Sequence, residues 1–223
     1  MHARSIAVVL CGCGRADGSE IHESVSLLIH LDRHGFNYRC FAPDLLQPEV
    51  VDHLHNKVVH EQRNMLVEAA RIARGEIAPL AQLDPHKFDA ITFPGGNGLA
   101  KNLCTFARHG ADCTVNADVA RLIRAFHDAR KPIGLICIAP VLAARVLGTA
   151  AGGPGCTITL GPGGEAASAA ARMGAQTVAK GVTEAFTDQT QKIVTTPAYM
   201  CETGPAGVFA GVGAMVDELA RLL

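Results

Sequence analysis

The chain has 223 residues, 48% hydrophobic and 18% charged, with a formal net charge of −1 at pH 7. That is material for one large domain with a sizeable core. Mixed charges, no Trp and two Tyr supply neither a basic stripe nor a stacking platform, which argues against nucleic acid as a partner.

Taken in chain order, short β-branched and apolar runs alternate with longer amphipathic ones, the α/β pattern. The run SIAVVLC (5–11) reads as a first strand and meets glycines too soon for a signal-peptide core or a membrane span. A cytoplasmic protein with no membrane partner is the expectation. After the turn GCGRADGS a helix is predicted over 19–34, with Asp17 and Glu20 at capping-box spacing and Gly35 as its stop. NYRCFAP (37–43) is the second strand. Residues 48–83 read as a long, mostly helical crossover excursion, with Leu66, Ala69, Ala70 and Ala73 on one face. FDAITFPGG (88–96) is the third strand, running into a Gly-Gly turn. An amphipathic helix over 115–130 turns Val119, Leu122, Ile123 and Phe126 inward, and KPIGLIC is the fourth strand, launching the helix IAPVLAARVLG. A Gly-rich segment (152–165), an Ala-rich helix to Met173, strands at 177–186 and 192–196, and a terminal helix over 205–222 complete the chain. No linker or internal repeat divides it. The expectation is a single domain over 1–223, a three-layer α/β sandwich with a mostly parallel central sheet flanked by helices and function at the carboxyl ends of the strands.

Eight cysteines are scattered without a CxxC pair, so neither a disulfide framework nor a structural zinc site is expected. Cys137 is set apart by context. PIGLICIAP (132–140) puts it at a strand-to-helix junction like a nucleophile elbow, where the N–H groups of the following helix favour thiolate. Pro140 suits the first helical turn. On this stretch alone, nucleophile and buried core thiol both stand.

Two further strand ends carry unusual residues. The glycines of PGGNG (94–98) let backbone N–H groups approach a developing anion, or form no more than a tight turn. Glu20 and Glu23, three apart, share roughly one helix face. Glu20 reads as a capping residue. Glu23, between Ile21 and Val25, falls beside the inward face, where a desolvated carboxyl stays protonated and can donate a hydrogen bond to a thiolate; a solvated helix residue is the alternative. His22 sits between them. The HLH at 53–55 lacks a third ligand, and no metal is expected there.

Together, GSEIHE after the first strand, FPGGNGLAKNL after the third and GLICIAP at the fourth resemble the ThiJ/PfpI superfamily, the class I glutamine amidotransferase-like group of flavodoxin-like folds. CGCGRADGSEIHES, CFAPD, EAARIARGEI, CTV and KIVTTPAYM bring the resemblance to the ElbB-like branch, the isoprenoid-biosynthesis-associated glyoxalases, across residues 11–200. The resemblance implies Cys137 as nucleophile and Glu23 as the carboxyl held against it. Backbone N–H groups of Gly96 and Ile138, with Gly95 beside them, form the implied oxyanion and substrate-binding pocket. A homodimer is implied as well. One departure matters: Ile138 stands where amidotransferases often carry a histidine. Glutamine hydrolysis needs a base for the thiol and an acid for the leaving ammonia, so it is disfavoured here. The branch implies instead a glutathione-independent, glyoxalase III-like lyase that converts glyoxal to glycolate. Its substrate is a small carbonyl compound, Cys137 adds to it, His22 is a candidate proton shuttle, and neither cofactor nor metal takes part. The alternatives are a redox-sensing or binding protein built on an oxidisable Cys137, and a protein deglycase.

Overall fold

A computed structural model describes residues 4–223. The first strand, β1 (Ser5–Val9), shows how the layers arise. Its alternating side chains enter two different cores, Ala7 and Val9 on one side and Ile6 and Val8 on the other. A strand buried on both faces needs helices on both sides. Helix α1 (Ile21–Arg33) follows and is two residues shorter at its start than the spacing suggests. Glu20 is its N-cap, accepting the Glu23 N–H at 2.8 Å. Asp17 plays no part in that cap; it is buried and accepts the Val51 N–H. Strand β2 (Asn37–Ala42) comes next.

The predicted helical crossover is where the sequence reading departs most from the structure. Its first half is a hairpin of β3 (Val50–Asp52) and β4 (Lys57–Val59), and only α2 (Met65–Ile72) is helical before the edge strand β5 (Ile77–Pro79). The paired valines of VVD and KVV favour strand, and Asn56 takes the left-handed turn conformation (φ 50°) that Asn tolerates. Asn64 then caps α2 by accepting from Leu66 and Val67.

Beyond it lie β6 (Ala90–Phe93), α3 (Leu99–Asn102), α4 (Phe106–His109) and α5 (Ala117–Asp128). The α5 side chains Val119, Leu122, Ile123 and Phe126 are fully buried, as their spacing requires. Strand β7 (Ile133–Ile136) and α6 (Pro140–Leu147) form the elbow segment. The rest comprises β8 (Thr157–Ile158), α7 (Glu165–Arg172), β9 (Gln176–Thr177), β10 (Phe186–Asp188), β11 (Ile193–Thr196) and α8 (Pro205–Leu222). The strand expected over 177–186 is thus two short pieces, β9 and β10, in different sheets.

The central sheet has the order β10-β11-β7-β6-β1-β2-β5, parallel throughout except for β10. Helices α1 and α8 cover one face and α5 and α6 the other. The chain starts at β1 and builds outward in both directions, so the strand order switches between β1 and β6. In such sheets the crevice at the carboxyl ends beside the switch is where ligands bind. The loops after β1, β6 and β7 all open there.

Candidate active site

Cys137 follows β7 directly, with φ at 62°. A non-glycine residue in this left-handed region carries backbone strain, which tends to be kept where it re-aims a side chain. Its own N–H is tied to Thr196 O of β11 at 2.9 Å. The side chain therefore leaves the strand end and faces the loops after β1 and β6.

Three elements meet at the sulfur. Glu23 reaches toward it from the first turn of α1, close enough that the carboxyl and the thiol influence each other's ionisation. The backbone N–H groups of Gly96 and Ile138 lie near the sulfur and favour its thiolate. Gly95, grouped with these donors in the sequence reading, instead donates its N–H to Glu23 Oε2 at 2.8 Å. It fixes the carboxyl rather than facing an anion. A Cβ at Gly95 would lie 2.7 Å from Cys137 Cβ and 2.9 Å from Glu23 Oε2, so only glycine fits between the two. The loops are interlocked as tightly further out. A Cβ on Gly98 would meet Gly18 N at 1.9 Å, which brings the turn after β6 against the turn after β1, backbone on backbone. The glycines of both motifs serve this contact.

Electrostatics follow from burial. Glu23 is fully buried, and burial first, then the Glu20 charge, pushes its carboxyl up to about 8. It is protonated at neutral pH. Cys137 is pushed well above its ordinary range, first by burial and then by Glu23, while the N–H groups of Gly96 and Ile138 pull downward. The lowering expected from the helix start is therefore outweighed. A protonated Glu23 removes the like-charge contribution and turns the carboxyl into a donor toward sulfur. Glu23 Oε1 is buried without a hydrogen-bond partner, and the backbone N–H groups of Gly95 and Tyr199 both favour the carboxylate form.

A cavity of about 520 Å3 opens over the pair, lined in part by Glu20, His22, Asn97 and Ile138. His22 Nδ1 lies 2.7 Å from the Tyr199 hydroxyl and 3.8 Å from Glu20 Oε1. It lines the cavity without acting on the Cys137 thiol. Three lining residues were not singled out in the sequence: Arg15, Tyr199 and Met200. Tyr199 arrives from the turn after β11, where Ala198 holds another positive φ of 43°. The signal was a non-glycine left-handed residue past the carboxyl end of a strand, as at Cys137, and sequence does not display φ.

The remaining histidines and cysteines lie elsewhere. His53 accepts the Ala16 N–H at 3.2 Å and faces Val51 O at 3.0 Å, bracing the loop after β1. His55 pairs with Asp52. No group of three or more potential metal ligands occurs among the described residues. Cys11, Cys104 and Cys156 are buried and each pushed up to about 12 by that burial.

No family model matches the chain. It is 49% identical over 227 residues to the mitochondrial ES1 protein homolog of Rattus norvegicus, covering 97% of this chain and 83% of that one. It is 48% identical over 230 residues to a mitochondrial glutamine amidotransferase-like class 1 domain-containing protein 3 of Homo sapiens, covering 99% and 84%. Among solved structures, an isoprenoid biosynthesis protein with amidotransferase-like domain from Ehrlichia chaffeensis superposes with a TM-score of 0.90. It is 34% identical over 98% of this chain and 100% of its own. ThiJ/PfpI and DJ-1 structures at 16% and 18% identity share the fold. The cytoplasmic expectation is overturned by the mitochondrial relatives. A compartment is set by an address that receptors read, which the composition of a folded domain does not reveal. No helix among the described residues is long and apolar enough to cross a membrane.

Proposed function

The chain belongs to the ES1 family of glutamine amidotransferase-like class 1 proteins, and on that premise we propose that it is a glyoxalase III-like enzyme acting without glutathione. Its reaction converts glyoxal or a related 2-oxoaldehyde to the hydroxy acid. The observation that carries this reading is the buried Cys137–Glu23 pair, with two N–H groups at the sulfur and isoleucine in place of the elbow histidine. Such a site has no histidine directly after the thiol to expel ammonia from an amide, yet suits addition to an electrophilic carbonyl that has no leaving group.

The thiolate–carboxylic acid form of the pair adds sulfur to one aldehyde carbon. The oxyanion so formed lies toward the N–H groups of Gly96 and Ile138 and takes a proton from Glu23, giving a hemithioacetal. Glu23, now a carboxylate, removes the carbon-bound proton, and the electron pair moves through an enediol. Reprotonation at the neighbouring carbon leaves a thioester on Cys137. One carbon is oxidised and its neighbour reduced, so no external oxidant enters. Water then cleaves the C–S bond, releasing glycolate and the thiol. His22, hydrogen-bonded to Tyr199, is placed to relay a proton at the cavity wall.

The test is glyoxal turnover by the wild type and Cys137→Ala, with glycolate as the product measured. Wild-type rates in Cys137→Ala would remove the mechanism. Slow wild-type turnover combined with selective peroxide oxidation of Cys137 would favour the sensing role instead. A homodimer is the expected assembly, supported by an exposed apolar stripe of Ile21, Val25 and Ile29 on α1. Sedimentation of Val25→Glu as a monomer beside a dimeric wild type would place the interface there.

A further inference from the structure

The Cys137 cavity is large for glyoxal. At about 520 Å3 it falls in the range that holds ligands of drug-like size, whereas glyoxal has four heavy atoms. What the rest of the substrate looks like is legible in the charges at its wall. Glu23 is neutral at pH 7 for the reasons above. Glu20 is already engaged: its Oε2 accepts the Glu23 N–H, and its Oε1 faces His22. The one cationic side chain among the lining residues is Arg15, and it enters none of the ion pairs formed among the described residues. Arg108, in the adjoining groove, by contrast meets Glu49 Oε1 at 3.0 Å.

Arg15 is exposed, but its backbone is held in place. Its carbonyl accepts the Gly98 N–H at 3.1 Å, and the next residue is held by His53. The base of the side chain is fixed against the turn that supplies the Gly96 N–H, while the guanidinium keeps no protein partner. A planar fork of donors matches carboxylate or phosphate oxygens.

We propose that Arg15 is the specificity residue of this site, and that the carbonyl substrate carries an anionic group, a carboxylate or phosphate, bound by its guanidinium while Cys137 meets the aldehyde. This deepens the proposed glyoxalase reading and rests on it for the aldehyde, but not for the anion.

Two measurements separate those claims. The first needs no turnover: alkylation of Cys137 by iodoacetate and by iodoacetamide, followed on the Cys137 peptide by mass spectrometry. The ratio of the two rates is expected to fall about fivefold in Arg15→Gln, with Arg15→Lys recovering part of it. Raising the salt should shrink the wild-type ratio. An unchanged ratio in Arg15→Gln overturns the proposal. The second compares kcat/KM for 4,5-dioxopentanoate with that for 2-oxopentanal, which has a methyl group in place of the carboxylate. The wild type should prefer the anion about tenfold, and Arg15→Gln should lose that preference. Equal losses on both substrates would mark Arg15 as merely structural and sink the specificity role. Turnover of neither substrate would sink the enzymatic reading, and the alkylation ratio would still decide for or against Arg15.

Discussion

Two cysteines stand just beyond the carboxyl ends of parallel strands in the same sheet, and they have opposite surroundings. Cys11, after β1, is fully buried and pushed up to about 12 by that burial, with its sulfur 3.6 Å from Ser19 Oγ. Cys137, after β7, has a left-handed backbone, a carboxyl partner, two N–H groups at its sulfur and a cavity above it. Position at a strand end is therefore not what prepares a thiol. The turn that follows is: the chain after β1 runs on in a loop that folds Ser19 back onto the strand, whereas the chain after β7 reverses at the cysteine itself.

The largest expected effect sharpens this contrast at its centre. Cys137→Ala should lower aldehyde turnover on the order of a thousandfold or more. Cys11→Ala, corrected for folded protein, should leave turnover near wild type; a comparable loss there would erase the distinction.

Glu23 separates the two thiols next. Its carboxyl is raised from an ordinary value of 4.5 to about 8, so between those pH values the folded chain holds a proton that the unfolded chain has released. Wild-type stability should fall as pH rises through that window. Glu23→Gln has nothing to titrate. It should match the wild type near pH 5 and exceed it by about 3–5 kcal/mol at pH 8.5, as read by urea unfolding. A gain independent of pH would mean that Glu23 does not titrate in this window. Alkylation of Cys137 in the wild type should accelerate as pH rises toward and past 8, with an inflection that belongs to the pair and shifts in Glu23→Gln.

Gly95 tests whether the geometry around Cys137 is as tight as the backbone implies. Gly95→Ala forces a methyl group against both members of the pair and should cost about a hundredfold in turnover, with about 1–3 kcal/mol of stability lost. Full activity in that variant would mean that the pair tolerates displacement. The smallest effect belongs to Cys11→Ala, which should lose about 1–2 kcal/mol from a fully packed position.

The legible and illegible parts divide along the same line. Cys137 was readable because the proline and apolar context of an elbow marks it; Glu23 is buried, but not for the reason its neighbours suggested, since Ile21 and Val25 are exposed and the inward face carries Leu27 and Leu31. The inward residues of α5 were readable from their helical period. The β3–β4 hairpin was missed because two three-residue strands leave too little alternation, and Asn56 gave the better signal. Gly95 was assigned to the wrong partner, since spacing shows that a glycine is near the site but not which way its N–H points. Arg15 and Tyr199 reach the cavity through tertiary folding from loops after β1 and β11, and nothing in their neighbours records that meeting.

The interlock between Gly18 and Gly98 has a consequence for altering this protein. Because the two turns touch through bare backbone, neither can be lengthened or given side chains without moving the other, and with it Glu23 and the Gly96 N–H. A library aimed at new substrates would waste its diversity there. The adjustable positions are the side chains of Arg15, Tyr199 and Met200 at the cavity wall, which can be exchanged one for one while the turns that carry them keep their length and their backbone contacts.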